Sequence, residues 1–447
     1  MQTIRQLAAQ LQAGTLTSAG LVDDALARIE AHRREGGAAY VSVDAQAARA
    51  AALASDEARA RGRVPSLLAG LPVSVKDLFD VTGEVTSAGS RVLADRPAAV
   101  ANALAVSRLR AAGAILLGRT NMSEFGYSGL GLNPHYGTPL NPVDECRVAG
   151  GSTSGGAVSV ALDMAVAALG TDTGGSVRIP AAFCGLTGFK PTQRRVPMTG
   201  TVPGSVSLDS AGPLARSVDC CAIVDAILAG EEPGNGAIAL SGLTLGLCTD
   251  HVGEGLDAEV ARAFERAVSA LSSAGVVMTE FAFPELRELA EINRAGGFAA
   301  AESARWHRGL IEQREAEYDR RVSMRIRRGE AIDDAAMRKL EAERARLQAV
   351  ARSRLGGFDA WVMPTVALVA PALAPLDRDD ETFFAVNALT VRNPSIINFL
   401  DGCALTLPCA EPGALPVGIS ICGLAGADGE VLGIGRSVER LFAESWR

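Results

Sequence analysis

Two short glycine–serine clusters hold the residue types in this chain best suited to chemistry. One is Gly150-Gly-Ser-Thr-Ser-Gly-Gly156 and the other is Gly170-Thr-Asp-Thr-Gly-Gly-Ser176, with an apolar stretch between them. Glycine at this density costs backbone entropy, so such loops usually need a positive φ or a close backbone approach. Three familiar readings fail. A phosphate-binding P-loop needs a lysine after its glycines, and none follows. The dinucleotide fingerprint G-x-G-x-x-G is absent here. The hydrolase elbow G-x-S-x-G fails because Thr153 stands at the centre of Gly151–Gly155. What remains is Gly174-Gly175-Ser176, where small residues present backbone N–H groups beside a hydroxyl. Such an array can hold an oxyanion, each donor contributing about 3–4 kcal/mol to lowering the barrier.

A serine hydroxyl needs a base to attack at neutral pH. No histidine lies in this centre; the nearest, His135, sits in the turn-like Asn133-Pro-His-Tyr-Gly137. A neutral lysine can serve instead. The chain has only three lysines, Lys76, Lys190 and Lys339, against forty arginines, so the place of each is informative. Lys76 ends the apolar segment Leu71-Pro-Val-Ser-Val-Lys76. Such a lysine is either snorkelling at a strand end or buried for a reason. Lowering its pKa from about 10.4 to about 7–8 takes roughly 4 kcal/mol of desolvation and like-charge repulsion.

The elements that must position these groups follow from periodicity. Residues 3–12, 18–33 and 45–62 read as helices, the second capped by Thr17 or Ser18. Residues 71–81 read as strand with turns, 101–112 as helix closed by Gly113, and 114–118 as buried strand. Residues 157–169 read as helix. Strand-like runs recur at 243–248, 276–283, 361–364 and 415–422. Asp257–Leu271 is a helix with Val260, Phe264, Ala267, Val268 and Leu271 on one face. This alternation predicts an α/β layer architecture around a large sheet. Residues 285–355 are rich in Glu, Arg and Ala and poor in Gly. They read as a helical insertion whose charge runs, such as Arg325 to Glu330, are solvated faces.

Composition excludes several function classes. Hydrophobic residues make up 48% and charged residues 21%, which rules out global disorder. A net charge of −8 argues against a nucleic-acid partner. The eight cysteines are scattered without a C-x-x-C pair and read as buried reduced thiols. The four histidines form no metal-binding pair, so no metal is expected. The opening residues lack an apolar signal region, and no run of 18 apolar residues occurs. A soluble, cytoplasmic protein without a membrane segment is therefore expected.

Taken together, Gly150–Gly156, Gly170–Gly185 and Gly188-Phe-Lys-Pro-Thr192 resemble the signature of the amidase signature family. Leu71–Asp77, Thr120–Phe125, Asn141-Pro142, Gly212–Val218 and Leu415–Ile419 also resemble family segments, in family order. The resemblance covers essentially the whole chain and is weakest over 285–355. It implies one domain, 1–447, built on a large mixed central β-sheet with helices on both faces. Within it, 1–64 form an N-terminal helical region, 65–250 the catalytic core, 285–355 the insertion and 356–447 the rest of the sheet. The resemblance further implies a Ser–cisSer–Lys triad: Ser176 as nucleophile, Ser152 as bridging serine after a cis peptide, and Lys76 as base. It assigns the oxyanion hole to the N–H groups of Thr173, Gly174, Gly175 and Ser176. Ser154, Asp172 and Arg178 would brace the loops, and Lys190 would be structural.

The implied activity is hydrolysis of an amide, urea or carbamate C–N bond in a small substrate through an acyl-enzyme, with no cofactor. Met122 and Ser128 are expected to contact substrate, with further walls from 196–206, the insertion and 380–400. Two other readings stay open: an amidotransferase A-type subunit that needs partner chains, and a silent scaffold. Family habit suggests a homodimer. One departure concerns the turn after Lys190-Pro-Thr192. There the family's x-G-R-V is replaced by Gln193-Arg194-Arg195-Val196, which brings Arg194 into question as a pocket residue.

Overall fold

The computed structural model describes residues 2–234 and 236–445. Among these residues, eleven strands form one mixed sheet. In chain order they are β1 (Tyr40–Val43), β2 (Pro72–Lys76), β3 (Ile115–Thr120), β4 (Ala167–Asp172), β5 (Thr187–Lys190) and β6 (Ser210–Ala215). Then follow β7 (Thr244–Cys248), β8 (Val277–Phe281), β9 (Ala360–Pro364), β10 (Cys403–Pro408) and β11 (Gly418–Gly423). The spatial order is β1-β3-β2-β4-β6-β5-β10-β11-β9-β7-β8. β2 runs parallel to both β3 and β4, while β6, β5, β10 and β11 alternate as antiparallel neighbours.

Most helices fall where periodicity and caps place them. Thr17 accepts from the Gly20 N–H and starts Ser18–Arg34, and Asp257 precedes Ala258–Ser273. The insertion is helical over Glu288–Ile292, Gly297–Arg314, Arg320–Arg327 and Asp334–Leu355. The segment 157–169 is not one helix. A helix covers Ser154–Ala161, a turn with Asp163 at φ 60° ends it, and Ala167–Asp172 is β4. β4 is buried on both faces: Ala167 and Leu169 belong to one apolar cluster, with Ile223 and Val224, and Ala168 to another, with Ala157 and Val158. A strand with no exposed face has no alternation, so in sequence it merges with the apolar helix before it. β1 lies inside the N-terminal region expected to be helical.

Candidate active site

Lys76 closes β2 and Thr171 stands one residue before the end of β4. The two strands are parallel neighbours, so both residues lie at the same carboxyl edge of the sheet, the usual position for a ligand site in open α/β folds. Lys76 has 0% exposure, which decides against a snorkelling lysine. Its Nζ donates to Ser152 Oγ at 2.8 Å and to Thr171 Oγ1 at 2.7 Å, with the Thr171 carbonyl at 3.4 Å. Burial disfavours its charge and pulls its pKa down to about 7, although Asp172 and Asp209 oppose the shift.

Ser152 is equally enclosed, and the Gly151–Ser152 peptide bond is cis. Its carbonyl accepts from the Ser123 N–H at 3.2 Å. A side chain at Gly151 would place Cβ 2.6 Å from the Gly131 nitrogen, so only glycine lets these loops touch. Ser176 follows β4, and its carbonyl accepts from the Thr153 N–H at 3.2 Å, tying the two glycine–serine clusters together. It lines a cavity of about 740 Å³. Its hydroxyl forms no hydrogen bond to another described residue. The structure thus joins Lys76 to Ser152 and leaves the two serine hydroxyls without a mutual hydrogen bond.

The loop amides divide in two. Those of Thr173, Gly174 and Ser176 make no hydrogen bond to another described residue. That of Gly175 donates to Asp172 Oδ1 at 2.8 Å and is engaged within the loop. Gly175 sits at φ +116°, and a Cβ there would stand 2.6 Å from Ile179 Cδ1 and Pro394 Cβ. The loop is braced from behind by Asp172 and Arg178, both fully buried, joined at 2.8 and 3.0 Å. Burial would raise the Asp172 carboxyl, yet the Arg178 guanidinium, Lys190 and Asn398 hold it well below the usual carboxylate range. Breaking a buried pair strands a charge. Asp172→Ala is therefore expected to lose about 3–5 kcal/mol of stability, read as a lower denaturant midpoint.

Other expected residues fare differently. The Ser154 hydroxyl is buried without a hydrogen-bond partner among the described residues, so it braces nothing through a bond; it opens the helix Ser154–Ala161. Lys190 is buried and donates to the carbonyls of Pro191 and Gly402, both at 2.7 Å, away from the cavity lining. Ser128 lines the cavity and donates to Asn387 Oδ1 at 3.1 Å. Met122 does not line it; the side chain is fully buried in the core against Gly89. Arg194 is exposed and also lies outside the lining.

Asp209 and the inward-facing arginines of the insertion escape the sequence reading. Asp209 accepts from Thr173 Oγ1 at 2.5 Å and from the N–H groups of Gly204 and Ser205. Burial pushes it up to about 6 despite these donors and Lys76. Arg325 and Arg328, expected on a solvated face, line the cavity together with Arg392 and His251. A signal for Arg325 exists: it lies three residues after Val322 and one before Ile326, both buried, on the inward side of Arg320–Arg327.

The family model described as Amidase matches residues 20–432. The chain belongs to the amidase signature family. Amidase-family relatives cover nearly all of it. The 2-amino-5-chloromuconic acid deaminase of Comamonas testosteroni is 36% identical over 99% of this chain and 96% of its own length. The A-type subunit of the glutamyl-tRNA(Gln) amidotransferase from Chloroflexus aggregans is 32% identical over 96% and 94%. A crystal structure of an amidase superposes with a TM-score of 0.89 at 35% identity, covering 99% of both chains. As a member of the amidase family, this protein is a hydrolase of C–N bonds.

Proposed function

We propose that this chain, acting alone, hydrolyses a C–N bond of a small amide-type substrate through an acyl-enzyme on Ser176. One observation carries the reading: a lysine with no exposure, whose burial pulls its pKa down to about 7, bonded at 2.8 Å to the hydroxyl of Ser152. Neutral Lys76 takes the Ser152 proton, and Ser152 takes that of Ser176 as its oxygen attacks the carbonyl carbon. Catalytic hydrogen bonds commonly close only in the substrate complex, so the Ser152–Ser176 link forms at that stage. The new C–O bond leaves an oxyanion, which the N–H groups of Thr173, Gly174 and Ser176 receive. The proton returns through Ser152 to the leaving nitrogen as the C–N bond breaks. Water then attacks the ester by the same relay and releases the acid. The Comamonas relative is named for removal of an amino group, which supports ammonia as the nitrogen product here.

Similarity to the A-type chain of an amidotransferase favours a second reading, in which partner chains are required. The purified chain is expected to release ammonia from simple amides without ATP or partners. Silence across amides, ureas and carbamates, restored by added partners, would overturn the first reading in favour of the second.

The pH dependence tests the base. Lys76 must be neutral, so kcat/KM is expected to rise about tenfold per pH unit below about 7 and level off above it. A rate that kept climbing to the ordinary lysine range near 10.4 would show a solvated base instead.

A further inference from the structure

The cavity beside Ser176 has a charge pattern that C–N bond cleavage does not require. Arg325, Arg328 and Arg392 line it, and among the described residues no aspartate or glutamate does. This basic wall runs against a chain of net charge −8. Arginines close by are paired: Arg327 with Glu315 and Glu330, and Arg321 with Asp380. Among the described residues, none of the three cavity arginines forms an ion pair with a carboxylate.

Neutral acceptors hold two of them. Arg392 donates to the carbonyls of Glu254 at 2.7 Å and Val252 at 3.3 Å, and to Asn393 Oδ1 at 2.9 Å. Arg325 donates to the Tyr127 carbonyl and lies over the Tyr127 ring, 5.2 Å from its centroid. Neutral acceptors fix a guanidinium without cancelling its charge. Each of the two keeps N–H donors unspent, since the group has about five. Burial and the charge of Arg328 both press the Arg325 guanidinium down, and an anion between them relieves that repulsion.

Both arginines line the same cavity as Ser176, and chain neighbours or partners of each approach the serine loops. Tyr127 follows Gly126, where a Cβ would stand 3.4 Å from Ser152 Oγ. Arg392 is three residues before Ser395, whose Cβ lies 3.8 Å from the Cβ position of Gly174 in the amide-rich loop.

We propose that the substrate is a small C–N compound bearing a carboxylate, held by Arg325 and Arg392, with Arg328 adding positive field at the mouth. Guanidinium–carboxylate bonds are short, charge-assisted and directional, so the anion orients the scissile carbonyl as well as adding affinity. The proposal rests on the reading of this cavity as the hydrolytic site.

The test pairs each carboxylate-bearing monoamide with its neutral counterpart of equal length: succinamic acid with butanamide, glutaramic acid with pentanamide, adipamic acid with hexanamide. The best acid is expected to exceed its counterpart at least tenfold in kcat/KM. Arg392→Gln should cut that preference tenfold or more. Arg328→Gln, at an exposed position, should reduce it several-fold without disturbing packing. A second arm needs no turnover. Calorimetry on the Ser176→Ala protein should show adipate, glutarate or succinate binding more tightly than the matching neutral diamide, and weakening in Arg392→Gln and with added salt. Ammonia release with equal or greater preference for neutral amides overturns the anion proposal and leaves the hydrolytic reading standing. Diacid binding without hydrolysis of any pair overturns the hydrolytic reading and keeps anion recognition. Neither hydrolysis nor diacid binding overturns both.

Discussion

Alanine at position 176 is expected to abolish ammonia release while the fold persists. The change removes one oxygen that bonds to no other described residue, so packing and loop geometry lose nothing measurable. Removing a nucleophile of this kind costs about 10⁴–10⁶-fold in kcat, or roughly 5–8 kcal/mol of barrier. Three measurements belong together: ammonia release, the melting temperature, and labelling by a serine-directed trap read by mass. The variant should melt with the parent and take no label. A variant that kept more than about a hundredth of the parent rate would place the nucleophile on another residue.

Lys76→Met is the second large effect. Methionine fills similar volume, and its thioether needs no counter-charge. The expected loss is about 10²–10⁴-fold in kcat/KM, the usual worth of a positioned base. The limb near pH 7 should vanish with it. Stability should hold or rise, because the folded state no longer has to strip an ammonium group of water. A fall in activity accompanied by a matching collapse in stability would make Lys76 a packing residue. Near-parental rates with the pH limb intact would move the base elsewhere.

Legibility in the sequence follows the physics of each element. Helices with one wet face, such as Ala258–Ser273, announce themselves by apolar spacing and by a preceding Asp257. β4 does not, because both its faces are covered and its small residues continue the helix before it. β5 and β6 carry little strand signal either: β5 holds Gly188 and β6 holds Gly212 and Pro213, residues that strands usually avoid. At the site, Lys76 and Ser152 are legible as a pair only through the motif resemblance, because 76 positions separate them. The bond from the Gly175 amide to Asp172 is not legible, because nothing local shows the carboxylate turning back on the loop. The cavity arginines are hidden by composition: in a stretch dense with charge, a residue facing inward looks like its solvated neighbours.

The candidate reacting groups and the arginines of the cavity come from different stretches of chain. Lys76, Ser152 and Ser176 all precede residue 180, while Arg325, Arg328 and Arg392 follow residue 285. On the mechanism proposed above, insertions, deletions and substitutions in the later stretch would redraw what is admitted without moving Lys76, Ser152 and Ser176. A swap of 285–400 between two relatives should carry preference with it and leave the proposed acyl chemistry behind, which would make this scaffold a natural starting point for building hydrolases with new appetites.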